Sequence, residues 1–100
     1  MRSGQTCITL LRNDTDPEVR AEAAYALGRR GDLNAVQALL DLAEGDPDDE
    51  VGRAALWALV EIACATKDRT VLERARAIDP VETARLENQR KRQIQVTREV

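Results

Sequence analysis

Apolar residues recur at helical spacing in two segments of the chain that resemble each other. Val19, Ala23 and Leu27 fall at positions i, i+4 and i+8, and the same apolar stripe returns over residues 51–62 at an offset of 32. This spacing predicts two amphipathic helices, each burying one face. The chain is therefore organised around an internal repeat, and repeated units predict a stack in which each unit packs on the next.

The ends of these helices are marked by capping residues. Asp16 is a favoured N-cap, Pro17 suits the first helical position, and Gly31 suits the left-handed residue that follows a helix. In the second copy the acidic run 46–50 precedes the helix, and we interpret its aspartates as caps. Both copies are thus predicted to begin with a capped first helix.

A second helix follows each of these first helices. One is predicted from Asp32 to Gly45, and its later equivalent from Asp68 to about residue 78. Two alignments of these segments stay open, because an offset of 32 matches their apolar positions whereas an offset of 36 matches Asp32 with Asp68. Residues 65–67 are predicted to extend the preceding helix by about one turn.

The two ends of the sequence match parts of a repeat. Residues 7–14 lie 32 positions before 39–46, which predicts that the chain opens within a second helix. The last helix, from Val81 to about Arg92, resembles another first helix, but its apolar residues are few (Val81, Ala84 and Leu86), so we predict that it is mostly solvated. We predict one domain over residues 1–92, followed by a flexible tail: partial unit 5–13, repeat 14–45, repeat 46–78, capping helix 80–92 and tail 93–100.

The composition predicts closely packed helices and provides few of the residues that catalysis commonly uses. The chain is 43% apolar and 33% charged, with no His, no Phe and a net charge of −3. Small apolar side chains let helix backbones approach each other. Without His the commonest general base and metal ligand is missing. Cys7 and Cys64 lack metal-site spacing and are interpreted as buried hydrophobes. We predict no cofactor.

The repeat resembles the HEAT-like repeat, specifically the short form named after phycobilisome lyases. The resemblance is carried by residues 16–20, 23–28, 31–32 and 35–40. It implies an all-α fold, a short α-solenoid of antiparallel helix pairs with five to six helices. It also implies that the first helices form the convex side and the second helices the concave side.

In such repeats an aspartate before the first helix and an arginine within it commonly link neighbouring units. The resemblance assigns this role to Asp16 and Arg20, but the second copy has Gly52 in place of the arginine. The link therefore either shifts to Arg53 or breaks there. The two aromatic residues of the chain occupy equivalent positions in the two copies, which favours packing between repeats. The predicted inter-repeat residues are Asp16, Arg20, Arg53, Tyr25 and Trp57.

These observations favour a non-catalytic protein–protein interaction or scaffold module. Repeat stacks expose extended surfaces, and no catalytic constellation is evident in the sequence. The partner is expected to be a protein and to bind the polar face of the second helices. The candidate surface is Asn34, Gln37, Asp41, Glu44, Lys67, Arg69, Glu73 and Arg74.

Two alternative functions are also consistent with the sequence. Open repeat ends favour self-association into a homodimer, and the family resemblance suggests an accessory subunit related to phycobilin lyases. Nucleic acid is disfavoured by the net charge, and the basic residues of 85–92 are interpreted as a solvated helix face. No apolar run reaches the ~20 residues that span a bilayer, so we predict no membrane contact and a cytoplasmic location.

Overall fold

The computed structural model describes the backbone of residues 4–99 and the side chains of residues 7–92. Within these limits the chain forms six α-helices and one short 3₁₀ turn, with no strand, which confirms the predicted all-α fold. The elements are α1 (Gly4–Asn13), α2 (Pro17–Arg30), the 3₁₀ turn (Leu33–Ala35), α3 (Val36–Gly45), α4 (Asp49–Thr66), α5 (Arg69–Ile78) and α6 (Pro80–Glu99).

The helices form two layers. One, the first-helix layer, contains α2, α4 and α6, and the other, the second-helix layer, contains α1, α3 and α5. Neighbours contact each other within each layer, and α4 lies at the centre against α2, α3, α5 and α6. Stacked helix pairs of this kind make a short α-solenoid, as the repeat predicts.

The caps of the first helices follow from their sequence. Asp16 accepts a hydrogen bond of 2.9 Å from the N–H of Glu18 at the start of α2. Asp48 accepts bonds of 2.9 and 3.3 Å from the first N–H groups of α4. At the end of α2, Gly31 adopts the left-handed conformation with φ of 65°. These bonds satisfy backbone groups that the helix itself leaves unpaired.

The second helices can be aligned at an offset of 32 or of 36, and each offset matches some of their structural features. Asp32 caps the 3₁₀ turn that precedes α3, whereas Asp68 caps α5 directly. The capping residues therefore follow the offset of 36, while the buried residues Leu39 and Val71 follow the offset of 32. The 3₁₀ turn in the first unit absorbs the difference.

The helix α4 is longer than α2, with 18 residues against 14. Its additional turn ends at Thr66, whose hydroxyl donates to the carbonyl of Ile62 at 2.6 Å. Lys67 then takes the left-handed conformation with φ of 58°, the role that Gly31 fills after α2. The predicted extension of this helix is therefore present.

A close approach between α2 and α4 organises the core. A Cβ atom on Gly28 would lie 2.7 Å from Trp57 Cζ3 and 2.8 Å from the Cα of Ala58. The residues next to these two in the chain, Leu27 beside Gly28 and Leu59 beside Ala58, are fully buried. Glycine and alanine at the helix contact thus allow a backbone spacing that larger side chains would prevent.

The last helix leaves most of its few apolar residues accessible to solvent. Val81 is 78% exposed and Ala84 is exposed, whereas Leu86 is half-buried. Thr83 is fully buried instead, and its hydroxyl donates to the carbonyl of Ala75 at 3.2 Å. Threonine has the shape of valine, so it can occupy an apolar position when its hydroxyl finds an acceptor.

The last helix also extends past its predicted end at residue 92. Its backbone is helical as far as Glu99, over most of the segment 93–100 that the sequence predicted as a flexible tail, and Val100 lies outside the described residues. Gln, Arg and Glu in this segment are good helix formers even without an apolar stripe.

Candidate functional site

Four exposed side chains form a hydrogen-bonded row across the second-helix layer. Arg12 of α1 contacts Asp41 of α3 at 3.3 Å, and Gln37 donates to the other oxygen of Asp41 at 3.1 Å. Arg74 of α5 then donates to the amide oxygen of Gln37 at 3.2 Å. We call these residues the polar row: Arg12, Gln37, Asp41 and Arg74.

The polar row contributes little to stability, because exposed ion pairs typically contribute about 0–1 kcal/mol. The Arg12 and Asp41 side chains are 46% and 51% exposed. Within the row each of the two guanidinium groups at its ends donates through one nitrogen, although a guanidinium carries five N–H donors. The row is therefore an ordered surface with hydrogen-bonding capacity to spare.

The structure brings together part of the predicted surface. Gln37, Asp41 and Arg74 are directly linked, and the row also contains Arg12, which was not predicted. The signal for Arg12 was available, because aligning residues 7–14 with 39–46 places α1 in the same layer as α3. The predicted residues Asn34, Glu44 and Glu73 are exposed, and among the described side chains they form no hydrogen bond or ion pair with the row.

Two of the predicted residues lie elsewhere. Lys67 follows α4 in the left-handed conformation, and Arg69 begins α5. Both line a groove that α6 closes on its other side, so they do not share a continuous site with Gln37 and Asp41. Sequence spacing could not separate them, because it does not show that α6 packs beside the turn between α4 and α5.

A bidentate ion pair links the two repeats. Arg20 Nε donates to Asp46 Oδ2 at 2.9 Å, and Nη2 donates to Oδ1 at 3.2 Å. Arg20 Nη1 also donates to the carbonyl of Asp14 at 2.8 Å. The two side chains are only 13% and 4% exposed, so water screens this pair weakly. This contact ties α2 to the segment that leads into α4.

The aspartate of this link is Asp46, which corrects the assignment to Asp16. Asp16 caps α2, and Asp48 is its equivalent in the second repeat. Asp46 lies two residues before the cap, where it also accepts the N–H of Asp48 at 2.9 Å. The carboxylate that binds the arginine therefore lies two residues before the capping aspartate.

The link is not repeated at the next unit. Gly52 occupies the position of Arg20, and Arg53 is exposed without an ion pair among the side chains of residues 7–92. The sequence left open whether this link shifts to Arg53 or breaks, and in the structure it breaks. Arg53 is therefore not an inter-repeat residue here.

Aromatic packing supplements the ion pair at the same junction. Tyr25 of α2 and Trp57 of α4 meet edge to face, with ring centroids 5.3 Å apart and planes at 66°. Both rings are half-buried. Edge-to-face pairs of this geometry contribute about 0.5–1.5 kcal/mol beyond their burial. The two aromatic positions thus pack between repeats.

Two further ion pairs attach α6. Arg76 of α5 binds both oxygens of Glu87 at 3.0 and 2.9 Å, and Arg90 binds Glu61 of α4 at 2.6 Å. These hydrogen bonds raise the pKa of Arg76 and Arg90 above the ordinary arginine value, as the bond to Asp46 does for Arg20. A raised pKa in the folded state stabilises at all pH values below the ordinary pKa, so these arginines support the fold throughout the neutral range.

The cysteines differ in environment. Cys7 is buried, as predicted, whereas Cys64 is exposed, so the prediction of a buried Cys64 was wrong. It lies on the last turns of α4 beside the groove that Lys67 and Arg69 line. Among the residues that the structure describes, no group of three or more His, Cys, Asp or Glu could hold a metal ion.

Comparison with known families agrees with the architecture. The family whose sequence pattern matches is described as HEAT repeats, and it matches residues 5–89. The chain therefore belongs to the HEAT repeat family. The match does not distinguish the phycobilisome-lyase type. No curated protein and no solved structure matches the chain. Across residues 4–99, none of the helices combines the length and the apolar character needed to cross a bilayer.

Proposed function

We propose that this protein is a non-catalytic interaction module that binds a protein partner on the second-helix layer. HEAT repeats generally mediate protein–protein interaction, which fits this class of function. The observation that supports the proposed location is the polar row, which connects α1, α3 and α5 on one surface. A partner that contacts all three helices would be positioned by a rigid frame.

The chemistry of the polar row favours a partner with polar groups of both signs. Arg12 and Arg74 present guanidinium donors at its two ends, and Asp41 places a carboxylate between them. Arginine is enriched among the residues that dominate binding energy at protein interfaces. The exposed Glu44 and Glu73 on the same helices extend the surface with negative charge.

The test uses two triple variants matched in chemistry. The row variant carries Gln37→Ala, Asp41→Ala and Arg74→Ala, which removes an amide, an acid and an arginine. The control variant carries Asn88→Ala, Glu22→Ala and Arg53→Ala, which removes the same groups from exposed positions of the first-helix layer. Each immobilised protein is incubated with lysate of the cells that produce it, and captured proteins are identified by mass spectrometry.

We expect the wild type and the control variant to capture the same proteins, and the row variant to lose them. Because all six positions are exposed, both variants should keep the helical circular dichroism of the wild type. Equal capture by the row variant, or equal loss from both variants, would contradict the proposed location.

A further inference from the structure

A cationic groove with an apolar floor lies where α4, α5 and α6 meet. Its floor includes Ala63 of α4 and Leu72 of α5, and its volume is about 430 Å³. Lys67 and Arg69 border it on one side, and Arg90 and Lys91 of α6 border it on the other. We call this feature the end groove. It is distinct from the polar row and involves none of its residues.

The lining of the end groove has an excess of positive charge, with four cationic side chains against two carboxylates. Its two acidic residues are engaged, since Asp68 caps α5 and Glu87 binds Arg76. Arg90 is paired with Glu61. Lys67, Arg69 and Lys91 make no ion pair with any side chain of residues 7–92. Three cations therefore surround an apolar floor, in a chain whose net charge is −3.

We propose that the end groove docks an acidic amphipathic helix of a partner protein. One apolar side chain of that helix would cover Ala63 and Leu72, and its carboxylates would reach Lys67, Arg69 and Lys91. The charge complementarity selects the acidic flank, and the volume accommodates an aliphatic side chain. Placing a helix between two helices is a recurring mode of peptide recognition, in which apolar anchors at i, i+3 or i+4 enter the groove.

The lining disfavours a nucleic acid as the occupant. None of the described residues that line the groove is aromatic, so bases would find no stacking platform there. An apolar floor contributes to binding only when an apolar group covers it, which favours a protein segment.

The proposal is tested with a synthetic peptide and a matched pair of protein variants. The probe is a fluorescein-labelled, capped peptide of sixteen residues in which leucine recurs at helical spacing and glutamate flanks it. One control peptide replaces every glutamate with glutamine, and another replaces every leucine with alanine. Affinity is measured by fluorescence anisotropy at two salt concentrations.

The groove variant carries Lys67→Glu and Lys91→Glu. The control variant carries Arg29→Glu and Arg53→Glu, which change the net charge equally at exposed positions outside the groove. We expect the groove variant to raise the dissociation constant of the acidic peptide about tenfold or more, and the control variant about twofold or less. Both control peptides should bind more weakly to the wild type than the probe does.

Cys64 supplies an independent readout of the site. Its thiol is exposed beside the end groove, whereas Cys7 is buried. The bound probe should slow alkylation of Cys64 by iodoacetamide in the wild type, and should not slow it in the groove variant.

Several results would overturn the proposal. One is an equal loss of affinity in the two variants, which would indicate attraction by overall charge. Another is tighter binding of a single-stranded DNA oligonucleotide through the same two lysines. Self-association that depends on Lys67 and Lys91, seen by light scattering, would identify a second copy of the chain as the occupant instead.

Discussion

The two junctions of this short stack differ in how they are held together. At the first junction, α2 packs on α4 through a close backbone approach at Gly28, the Tyr25–Trp57 pair and the buried Arg20–Asp46 ion pair. At the second, α6 packs on α4 and α5 through the buried Thr83 and two ion pairs that are more exposed than the Arg20–Asp46 pair. The same repeat thus yields one tight junction and one loose junction.

The difference follows from a few positions in the sequence. Gly52 removes the arginine that would link the second junction, and a single residue, Asp79, separates α5 from α6. At the first junction three residues separate α3 from α4, and the first of them is Asp46. A one-residue connection has room for a cap but not for a linking carboxylate before it.

The comparison indicates that the stability of the stack is unevenly distributed. Five residues of α2 are buried, whereas Thr83 is the one fully buried residue of α6 among those whose side chains are described. Regions with few buried apolar contacts open locally at a lower free energy than the core. We therefore expect α6 to open while α2 and α4 remain folded.

The largest expected effect comes from truncating a leucine at each junction. Leu27 is fully buried in α2, and Leu86 is half-buried in α6. Leu27→Ala should lower the free energy of unfolding by about 2–5 kcal/mol, because it leaves a cavity in the core. Leu86→Ala should lower it by about 1 kcal/mol, because less apolar surface is lost. Urea denaturation measures both, and equal losses would contradict the difference between the junctions.

The second prediction compares two glycines within the first helices. Gly28→Ala introduces a methyl group that must displace the backbone of Ala58, whereas the Cβ of Gly52→Ala meets nothing within 4 Å. Both variants gain the same helix propensity, so their difference isolates the steric effect. We expect Gly28→Ala to be less stable than Gly52→Ala by about 1–3 kcal/mol, measured by urea denaturation. Equal stability would show that α2 and α4 do not require this close approach.

The third prediction compares the ion pairs of the two junctions. Arg20→Gln should lower the melting temperature more than Arg76→Gln, because it leaves the Asp46 carboxylate buried with fewer partners. Arg76 is half exposed, so water replaces its contact with Glu87 more readily. High salt should reduce the effect of Arg76→Gln more than that of Arg20→Gln. Thermal denaturation followed by circular dichroism at two salt concentrations decides this, and the reverse order would refute it.

The smallest expected effect is an attempt to restore the missing link. Gly52→Arg places the arginine of the motif in α4, but no acidic residue precedes Asp79 at the required position. The variant should therefore gain about 0.5–1 kcal/mol from helix propensity, as Gly52→Ala does. Urea denaturation of the two variants should agree, and a clearly larger gain for Gly52→Arg would show that the link can form after all.

The repeat and its helix ends were predictable because local signals specify them. The offset of 32 between the two apolar stripes and the capping aspartates Asp16 and Asp68 describe the architecture correctly. The role of Asp46 was assigned to Asp16 because both lie before a first helix, and only the packing shows which carboxylate reaches Arg20. Local sequence therefore predicts where helices begin better than it predicts which side chains meet across a junction.

The surface and the last helix were harder to predict. Gln37 and Asp41 lie one turn apart on α3, so their proximity was predictable, but their contacts with Arg12 and Arg74 depend on how neighbouring helices pack. In α6 the buried residue is Thr83, and an apolar pattern cannot identify a polar residue that satisfies its hydroxyl on a helix carbonyl.

Native-state hydrogen exchange tests the difference between the two junctions most directly. Amide exchange of residues 84–90 in α6 is compared with that of α2 and α4 across low concentrations of urea. We predict that α2 and α4 exchange together through global unfolding, and that α6 exchanges through a separate opening of lower free energy. If the amides of α6 are as protected as those of α4 and respond to urea in the same way, the two junctions are equally strong, which would contradict the predicted difference.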